Sequence, residues 1–343
     1  CRVDDSTSKA LGMGVVGYRC GTPIVGWRGK QLNMDYRVLT LDGWLEFNRV
    51  KWGLSPVRLR LSVDRSDRPS VELVVYTDKR GRIRTPKLNP YTPMSFLPTD
   101  TESISRLGRQ WLSVGQLVVK EFRKRGLVNT VSFPPSIGDV RPWKWSGFQV
   151  SVNYSFYSEF PYDPDAIEKS VRSKIRKATK LGYTCERTSR LNDVVQCLED
   201  TADRQQFDYK LTVEDLKTLQ GLLGSDICRS YVCYAPNGDA ASGRIALYYP
   251  GASALGWVAG TKREYLSDGC AQLLWLFTLD DLQNSGACGF DWVGANIPSV
   301  AAAKAAWGGR LVPYYTIRQP SVRALAHHVM DFVKFSRLRS GYQ

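Results

Sequence analysis

The sequence is poor in histidine. Its 343 residues include only two, His327 and His328, which are adjacent and near the C-terminal end. A Ser-His-acid or Cys-His arrangement needs an imidazole base beside its nucleophile, so this scarcity argues against hydrolases of that type. The eight cysteines form no CxxC pair and have no histidine cluster nearby. We therefore expect no metal site.

Long apolar runs are also lacking. No stretch approaches the ~20 residues that a membrane-spanning helix needs. The first residues do not show the basic, apolar and small-residue order of a secretion signal. Several cysteines lie in or near strand-like apolar runs, where a free thiol packs as a small hydrophobic group. These observations predict a soluble protein of the reducing cytoplasm.

Positively charged residues outnumber negatively charged ones. The chain has 47 Lys and Arg against 33 Asp and Glu, a formal net charge of +14. Such a balance attracts an anionic partner over long range, whether nucleic acid, a phosphorylated ligand or a membrane surface. Charge alone does not choose among the three.

The length and the pattern of elements predict two domains, residues 1–148 and 149–343. Residues 57–63 and 71–77 alternate as strands, and a helix runs from Ser103 to Arg125 before Gly126. A long strand from residue 149 starts the second half. Asp163 and Pro164 predict the start of a basic helix that ends at Gly182. Antiparallel strands beside helices in both halves favour a duplicated α/β (α+β) unit over a Rossmann sheet, with a basic helix at the C-terminus.

Residues 299–307 predict a helix with a single charge, Lys304. Lys304 follows Val300 by four residues and precedes Trp307 by three, so it lies on their apolar face. One interpretation is a lysine that extends its charge past an alanine-rich helix to solvent. The other is a cation that points into a cleft and stabilises negative charge on a substrate.

Four segments together resemble a known family. Residues 143–148, 173–183, 289–292 and 304–308 match, in order and spacing, the tandem acyltransferase-fold proteins of the FemABX group. The resemblance implies two GNAT-like acyltransferase domains with mixed, largely antiparallel sheets that face a shared cleft. It implies transfer of an acyl or aminoacyl group to an amine, without a tightly bound cofactor. It also places a lysine matching Lys304 beside the reacting ester.

This chemistry fits the residues. Aminolysis of an ester needs no enzyme nucleophile, only alignment of two substrates and a donor for the oxyanion, which Lys304 supplies. Asp291 is a candidate base, with a structural cap as the alternative. Tyr265 is a candidate proton relay, with packing as the alternative.

The candidate donor-binding residues are basic. Arg172, Arg176 and Lys180 share the polar face of one helix, which is either simply solvated or contacts the phosphates of a tRNA acceptor stem. GNAT enzymes that use acyl-CoA bind its pyrophosphate with a glycine-rich loop before a helix. Residues 261–270 hold one glycine and an acid there, although Lys262 and Arg263 remain able to meet a phosphate. Trp307 completes the candidate donor site.

The candidate acceptor-binding residues lie in loops, where binding residues concentrate. In the first half they are Tyr91, Phe96, Asp139, Arg141 and Trp143, with packing of the interdomain core as the alternative for the tryptophan. Phe207 and Tyr209 line the cleft from the other side.

The predicted function is transfer of an aminoacyl group from aminoacyl-tRNA to a primary amine of a small-molecule, peptide or cell-wall-precursor acceptor. An acyl-CoA-dependent N-acyltransferase acting on an amino sugar or amino acid is the alternative. A third hypothesis is a non-catalytic RNA-binding module, in which Lys304 is dispensable. The aminoacyl group, the acceptor and the oligomeric state are left open.

Overall fold

A computed structural model describes residues 34–63, 68–207 and 210–320. The expected C-terminal basic helix, His327, His328 and Tyr209 lie outside the described residues. Within the described part, no helix is both long and apolar enough to cross a bilayer. The same residues contain no group of three or more His, Cys, Asp or Glu side chains that could hold a metal ion.

Eight α-helices and eleven strands are found within the described residues. The helices are α1 Asp42–Trp52, α2 Ile104–Arg125, α3 Arg141–Trp145, α4 Lys169–Lys180, α5 Leu191–Gln205, α6 Val213–Leu223, α7 Cys270–Asn284 and α8 Pro298–Ala305. The strands are β1 Ser55–Ser62, β2 Ser70–Thr77, β3 Met94–Leu97, β4 Val131–Ser132, β5 Gln149–Glu159, β6 Thr184–Arg187, β7 Cys228–Tyr234, β8 Ala240–Leu247, β9 Ser253–Thr261, β10 Gly289–Asp291 and β11 Arg310–Arg318.

The first sheet has three antiparallel strands in the order β1-β2-β3. Helix α2 covers it with an apolar stripe that includes Trp111, Val118 and Phe122. The helix starts where the Ser103 side chain accepts a hydrogen bond from the Arg106 backbone N–H. These ends agree with those that the sequence predicts, because the capping side chain and the final glycine act locally.

The second sheet has eight strands in the order β4-β11-β5-β10-β9-β8-β7-β6. All neighbours are antiparallel except β9 and β10, which run parallel. Strand β4 belongs to the first half of the chain and joins the edge of this sheet. Hydrogen bonds therefore cross the expected domain boundary, and the limits 1–148 and 149–343 stay a prediction.

One hydrophobic core joins the two halves. Trp44 and Phe47 of α1 pack with residues of α5, α6, β8 and β9. The Trp44 ring meets the Trp257 ring edge-on, with 5.4 Å between centroids. Its Nε1 donates to Asn89 Oδ1 at 3.0 Å. This core fixes the segment around Asn89 beside β9.

The basic helix starts later than the sequence predicts. Asp163 caps only a short 3₁₀ helix, Pro164–Ala166, and α4 begins at Lys169. The predicted start was wrong because the chain between them is extended, and the Glu168 N–H donates to the Ala306 carbonyl at 2.8 Å. That bond ties the chain before α4 to the end of α8.

Candidate active site

The large sheet opens between β9 and β10. The two strands pair only where Gly289–Asp291 lies beside residues 253–255. Strand β10 ends there, whereas β9 continues to Thr261. From residue 256 onwards, this edge of β9 has no strand beside it within the described structure. The edge at residues 256–259 is therefore open to a ligand. At the end of the strand the edge is covered, because the Thr261 N–H donates to Thr201 Oγ1 at 2.9 Å and the Thr261 carbonyl accepts from Arg204 Nη1 at 3.2 Å.

The chain after β10 leaves β9 and follows β5. The Trp292 N–H donates to the Phe156 carbonyl at 3.0 Å, and the Ala295 N–H donates to the Tyr154 carbonyl at 2.7 Å. Asn296 Oδ1 accepts from the Tyr154 N–H at 2.8 Å. The loop 292–296 is thus fixed to β5 and forms the wall of the opening that faces β9.

The opposite wall carries a β-bulge at Trp257, where β9 has one residue more than β8. A bulge takes a residue out of the ladder and redirects its side chain. Here the Trp257 Nε1 donates to the Leu88 carbonyl at 2.8 Å. The bulge therefore binds a segment of the first half of the chain next to the opening.

Lys304 fastens the loop to α8. Its Nζ donates to the carbonyl oxygens of Trp292, Val293 and Gly294 at 2.5, 2.7 and 2.8 Å. A lysine ammonium has three N–H donors, so all three are used. Val293 has a φ of +47°, a left-handed conformation that costs an L-residue about 1–2 kcal/mol. Lys304 therefore holds a strained turn between β10 and α8.

The Lys304 ammonium is largely removed from water. Burial lowers its pKa from 10.5 to about 8, Arg244 acts in the same direction, and Asp291 opposes the change. The charge is turned towards the loop 292–294. Of the two residues predicted on the same helix face, Trp307 is buried, whereas Val300 is 37% exposed. For Lys304 to donate to a substrate oxygen, it must first break one of its three hydrogen bonds to the carbonyl oxygens.

Asp291 is fully buried at the end of β10. Its Oδ2 accepts from the hydroxyls of Tyr36 at 2.8 Å and Tyr91 at 3.0 Å. Its Oδ1 accepts from the Ser155 hydroxyl at 2.6 Å and the Val293 N–H at 2.8 Å. A carboxylate has about four lone-pair positions, and all are occupied. This geometry leaves no position for a substrate proton, so it favours an anchoring role over the predicted base.

Sequence reasoning missed two partners of Asp291, namely Tyr36 and Ser155. Tyr36 is 255 residues away along the chain, and no local pattern marks it. Burial and the neighbouring Asp291 raise the pKa of Tyr36 and of Tyr91 well above 10. Both phenols therefore stay protonated and keep donating to the carboxylate.

Tyr265 lies at the other end of β9. Its hydroxyl donates to Asp239 Oδ2 at 3.0 Å, in the turn between β7 and β8. Nearby Thr261 is six residues beyond Leu255, which pairs with Asp291. That distance along a strand is about 20 Å. The structure does not bring Tyr265 together with Asp291 and Lys304.

The basic candidates on α4 are accessible. Arg172, Arg176 and Lys180 are exposed, whereas Val171 and Ala178 of the same helix are buried. Leu181, directly after the helix, is 44% exposed. The helix therefore presents a cationic face to solvent.

The two basic candidates after β9 lie beside α5. Lys262 Nζ donates to Gln196 Oε1 at 3.4 Å. The Arg263 backbone N–H donates to Asp200 Oδ1 at 3.1 Å. The Arg263 side chain is exposed.

The N-terminus of α7 follows this loop and carries an acid. Asp268 accepts from Lys177 Nζ at 3.1 Å and from the Tyr183 hydroxyl at 2.8 Å. A Cβ added at Gly269 would overlap the Lys174 carbonyl, so the backbone of α4 covers this end. A carboxylate and the α4 backbone therefore lie beside the position at which a helix N-terminus binds phosphate, and both disfavour an anion there.

Three predicted ligand-binding aromatic residues lie in the core instead. Trp143 is fully buried, and Phe96 and Trp307 are each 5% exposed. Trp143 packs on Phe133, and Trp307 packs on Trp292. The interpretation of Trp143 as a core residue is the one that agrees with this packing. Large aromatics serve both cores and binding sites, and sequence alone does not separate the two.

The remaining acceptor candidates are dispersed. Tyr91 is bonded to Asp291, next to the opening. Phe207 lines a cavity beside β9. Asp139 and Arg141 pair with each other, with 2.7 Å between Oδ2 and Nη2, at the start of α3. Only Tyr91 and Phe207 therefore lie near the opening.

No protein-family model matches the chain, and no curated protein is similar in sequence. Solved structures are similar. FemX matches with a TM-score of 0.56 and 14% identity, over 81% of this chain and 91% of FemX. A structure described as the C-terminal domain of a putative lysylphosphatidylglycerol synthetase from Agrobacterium fabrum matches with a TM-score of 0.52 and 10% identity, over 80% of this chain and 88% of that domain.

The chain therefore has the fold of FemX. The predicted fold class, an α/β protein of the tandem GNAT-like acyltransferase type with mixed, largely antiparallel sheets, is confirmed. Sequence identities of 14% and 10% carry the fold and no more.

Proposed function

We propose that the protein is an N-acyltransferase that moves an aminoacyl group from aminoacyl-tRNA to a primary amine. The acceptor class is a small molecule, a peptide or a cell-wall precursor. The observation that carries the proposal is the opening between β9 and β10, which exposes a strand edge beside Lys304 on a fold shared with FemX.

The reaction is an aminolysis. The acceptor nitrogen attacks the ester carbon, the bond from that carbon to the ribose oxygen breaks, and the amine proton ends on the ribose hydroxyl. Holding the two substrates in line lowers the barrier without an enzyme nucleophile. The scarcity of histidine is therefore compatible with this chemistry.

Lys304 is the candidate donor to the oxyanion in this proposal. Its bond to the Gly294 carbonyl is the longest of the three at 2.8 Å. That N–H turns from the carbonyl and donates a hydrogen bond to the substrate oxygen as negative charge develops, and the proton stays on the lysine. Loss of one oxyanion donor slows turnover about a hundredfold or more. Asp291 acts as a positioning residue, because it fixes the turn on which the Lys304 partners lie.

Two features favour aminoacyl-tRNA over acyl-CoA. The exposed cations of α4 are spaced along a helix face, as phosphate-backbone contacts require. Asp268 and the Lys174 backbone occupy the α7 N-terminus, where a CoA pyrophosphate would otherwise find N–H donors. Both features support the larger anionic donor.

The test uses bulk tRNA charged with radiolabelled amino acids and a panel of amines that includes diaminopimelate, an amino sugar and a lysine-containing peptide. We expect enzyme-dependent movement of label from tRNA to an acceptor, in an amide bond that survives mild alkali while the tRNA ester does not. Acyl-CoA is offered in parallel, and release of its thiol is followed. Thiol release alone moves the donor to acyl-CoA, and tRNA binding without any transfer supports the RNA-binding module.

A charge-reversal pair tests the donor surface. Replacing Arg172 and Arg176 by Glu should raise the KM for charged tRNA. The slope of log affinity for tRNA against log salt concentration should also become shallower, by about one for each phosphate that the variant no longer neutralises. The control replaces Arg106 and Arg109, on α2, by Glu. Both double variants change the net charge by the same amount. An equal rise in the KM for charged tRNA in both would therefore show that α4 does not bind the tRNA.

A further inference from the structure

An apolar cavity of about 190 Å³ lies between the end of α5, the segment at Leu88 and the part of β9 beyond the opening. Most of the residues that line it are apolar, and they include Leu88, Leu198, Ala202, Phe207, Leu211 and Trp257. The polar lining residues are Thr201 and the exposed Glu199 and Lys210 at the rim. Such a composition binds a hydrophobic group better than a charged one.

The cavity is close to the candidate reaction centre. Its Trp257 wall is two residues along β9 from Leu255, which pairs with Asp291. Two residues of a strand span about 7 Å. The other wall is tied to the same centre, because Leu88 accepts from Trp257 Nε1 and nearby Tyr91 donates to Asp291. A group in the cavity is therefore within one side-chain length of the opening.

The size limits the occupant. A volume of about 190 Å³ equals the share of about six waters in the liquid, at about 30 Å³ each. That accommodates a side chain such as leucine or phenylalanine, and the mostly apolar lining disfavours a sugar or a nucleotide. In an aminoacyl ester the side chain starts one atom from the reacting carbonyl, whereas the tRNA and the acceptor extend away from it.

The rim supplies one exposed carboxylate. Glu199 lies there on α5. Lys210, also at the rim, is paired with Asp203, with 2.6 Å between Nζ and Oδ1. Asp203 raises the pKa of Lys210, and nearby Glu199 adds a smaller effect in the same direction. Because Lys210 is held by Asp203, the Glu199 carboxylate is the group on this surface that suits an α-ammonium.

We infer that this cavity is the side-chain pocket for the transferred aminoacyl group and selects a branched aliphatic or aromatic amino acid, with Glu199 facing its α-ammonium. The inference rests on the proposed function and names its substrate class.

The test measures binding of amino-acid amides, which carry the aminoacyl part without tRNA. Titration calorimetry compares leucinamide and phenylalaninamide with glycinamide and glutaminamide. We expect the first two to bind at least tenfold more tightly than the last two. Equal affinities, or a preference for glycinamide, would overturn the inference.

Two variants locate the preference. Ala202→Phe fills the cavity and should abolish the tenfold difference, while Leu198→Ala enlarges it and should shift the preference from leucinamide towards phenylalaninamide. The control, Leu222→Ala, removes a leucine that is 39% exposed on α6 and should leave the affinities unchanged. If Ala202→Phe does not fold, Leu198→Ala decides, since an unaltered preference there contradicts the inference.

Failure of the proposed function and failure of the cavity assignment give different results. Selective amide binding without transfer from charged tRNA contradicts the proposed function and leaves the cavity as a binding site. Transfer that is equally efficient with glycyl, leucyl and phenylalanyl groups supports the function and contradicts the cavity assignment.

Discussion

Replacing Lys304 by methionine removes the ammonium and keeps most of the aliphatic stem. The carbonyls of Trp292, Val293 and Gly294 then lose their common donor. The left-handed conformation of Val293 also loses one of the interactions that impose it. We expect the turn after β10 to relax and the protein to become less stable at pH 7.

The size of the effect follows from opposing contributions. Each hydrogen bond that a charged group makes contributes about 1.5–3 kcal/mol. Burial opposes the charge, since the pKa falls from 10.5 to about 8, which corresponds to about 3 kcal/mol. Val293 and Gly294 are half-buried, so water replaces part of the missing bonding. We expect the free energy of unfolding to fall by about 2 kcal/mol.

The lowered pKa also predicts a pH dependence. Between about pH 8 and 10.5 the unfolded chain binds more protons at Lys304 than the folded protein, so stability rises with pH in that window. The gain from pH 8 to 9 is about 1 kcal/mol. Lys304→Met lacks this gain, so its deficit should grow from about 2 kcal/mol at pH 7 to about 3 kcal/mol at pH 9.

Urea unfolding, followed by tryptophan fluorescence at both pH values, measures the deficit. Lys144→Met is the control, because Lys144 is exposed on α3 and its loss should cost less than about 0.5 kcal/mol. A deficit for Lys304→Met as small as that of the control, or one that does not widen at pH 9, would refute the reasoning about the turn.

Two further predictions concern pairs of side chains. Tyr36→Phe and Tyr91→Phe each remove a donor to Asp291 Oδ2 and should each lower the free energy of unfolding by about 1.5–3 kcal/mol. Because the donors share one oxygen, the double variant should deviate from additivity by about 0.5 kcal/mol or more in urea unfolding; strict additivity would argue against a shared site. Cys185 and Cys233 lie opposite each other on β6 and β7, about 4.5–5.5 Å apart at Cα, a separation that a disulfide spans. Diamide should link them, as peptide mass analysis will detect. A failure to link them under conditions that fully oxidise Cys288, which is half-buried like Cys185, would contradict the register.

Elements with local end signals were predictable from the sequence. Helix α2 begins after Ser103 and stops before Gly126, as its capping side chain and glycine indicate. The start of α4 was not predictable in this way. It depends on a hydrogen bond from Glu168 to the distant Ala306, and no nearby residue reports such an interaction.

Lys304 and Asp291 were singled out from the sequence, but their bonding was not predictable. The helical spacing placed Lys304 on the face of Val300 and Trp307, and Asp291 belonged to a short apolar strand-like run. Their partners are backbone carbonyls of a loop and phenols from the first half of the chain. Neither kind of partner leaves a sequence pattern. Only the structure therefore shows that the hydrogen-bonding positions of Lys304 and Asp291 are all occupied.

The bonds around Asp291 join parts of the chain that a two-domain description separates. Tyr36 and Tyr91 belong to the first half, while Ser155 and Asp291 belong to the second. A fragment that begins at residue 149 would bury the same carboxyl group with two donors missing, at a cost of about 1–3 kcal/mol for each missing bond. We therefore expect a gene fragment that begins at residue 149 to encode a less stable protein than the whole chain, because the first half supplies part of the environment of Asp291.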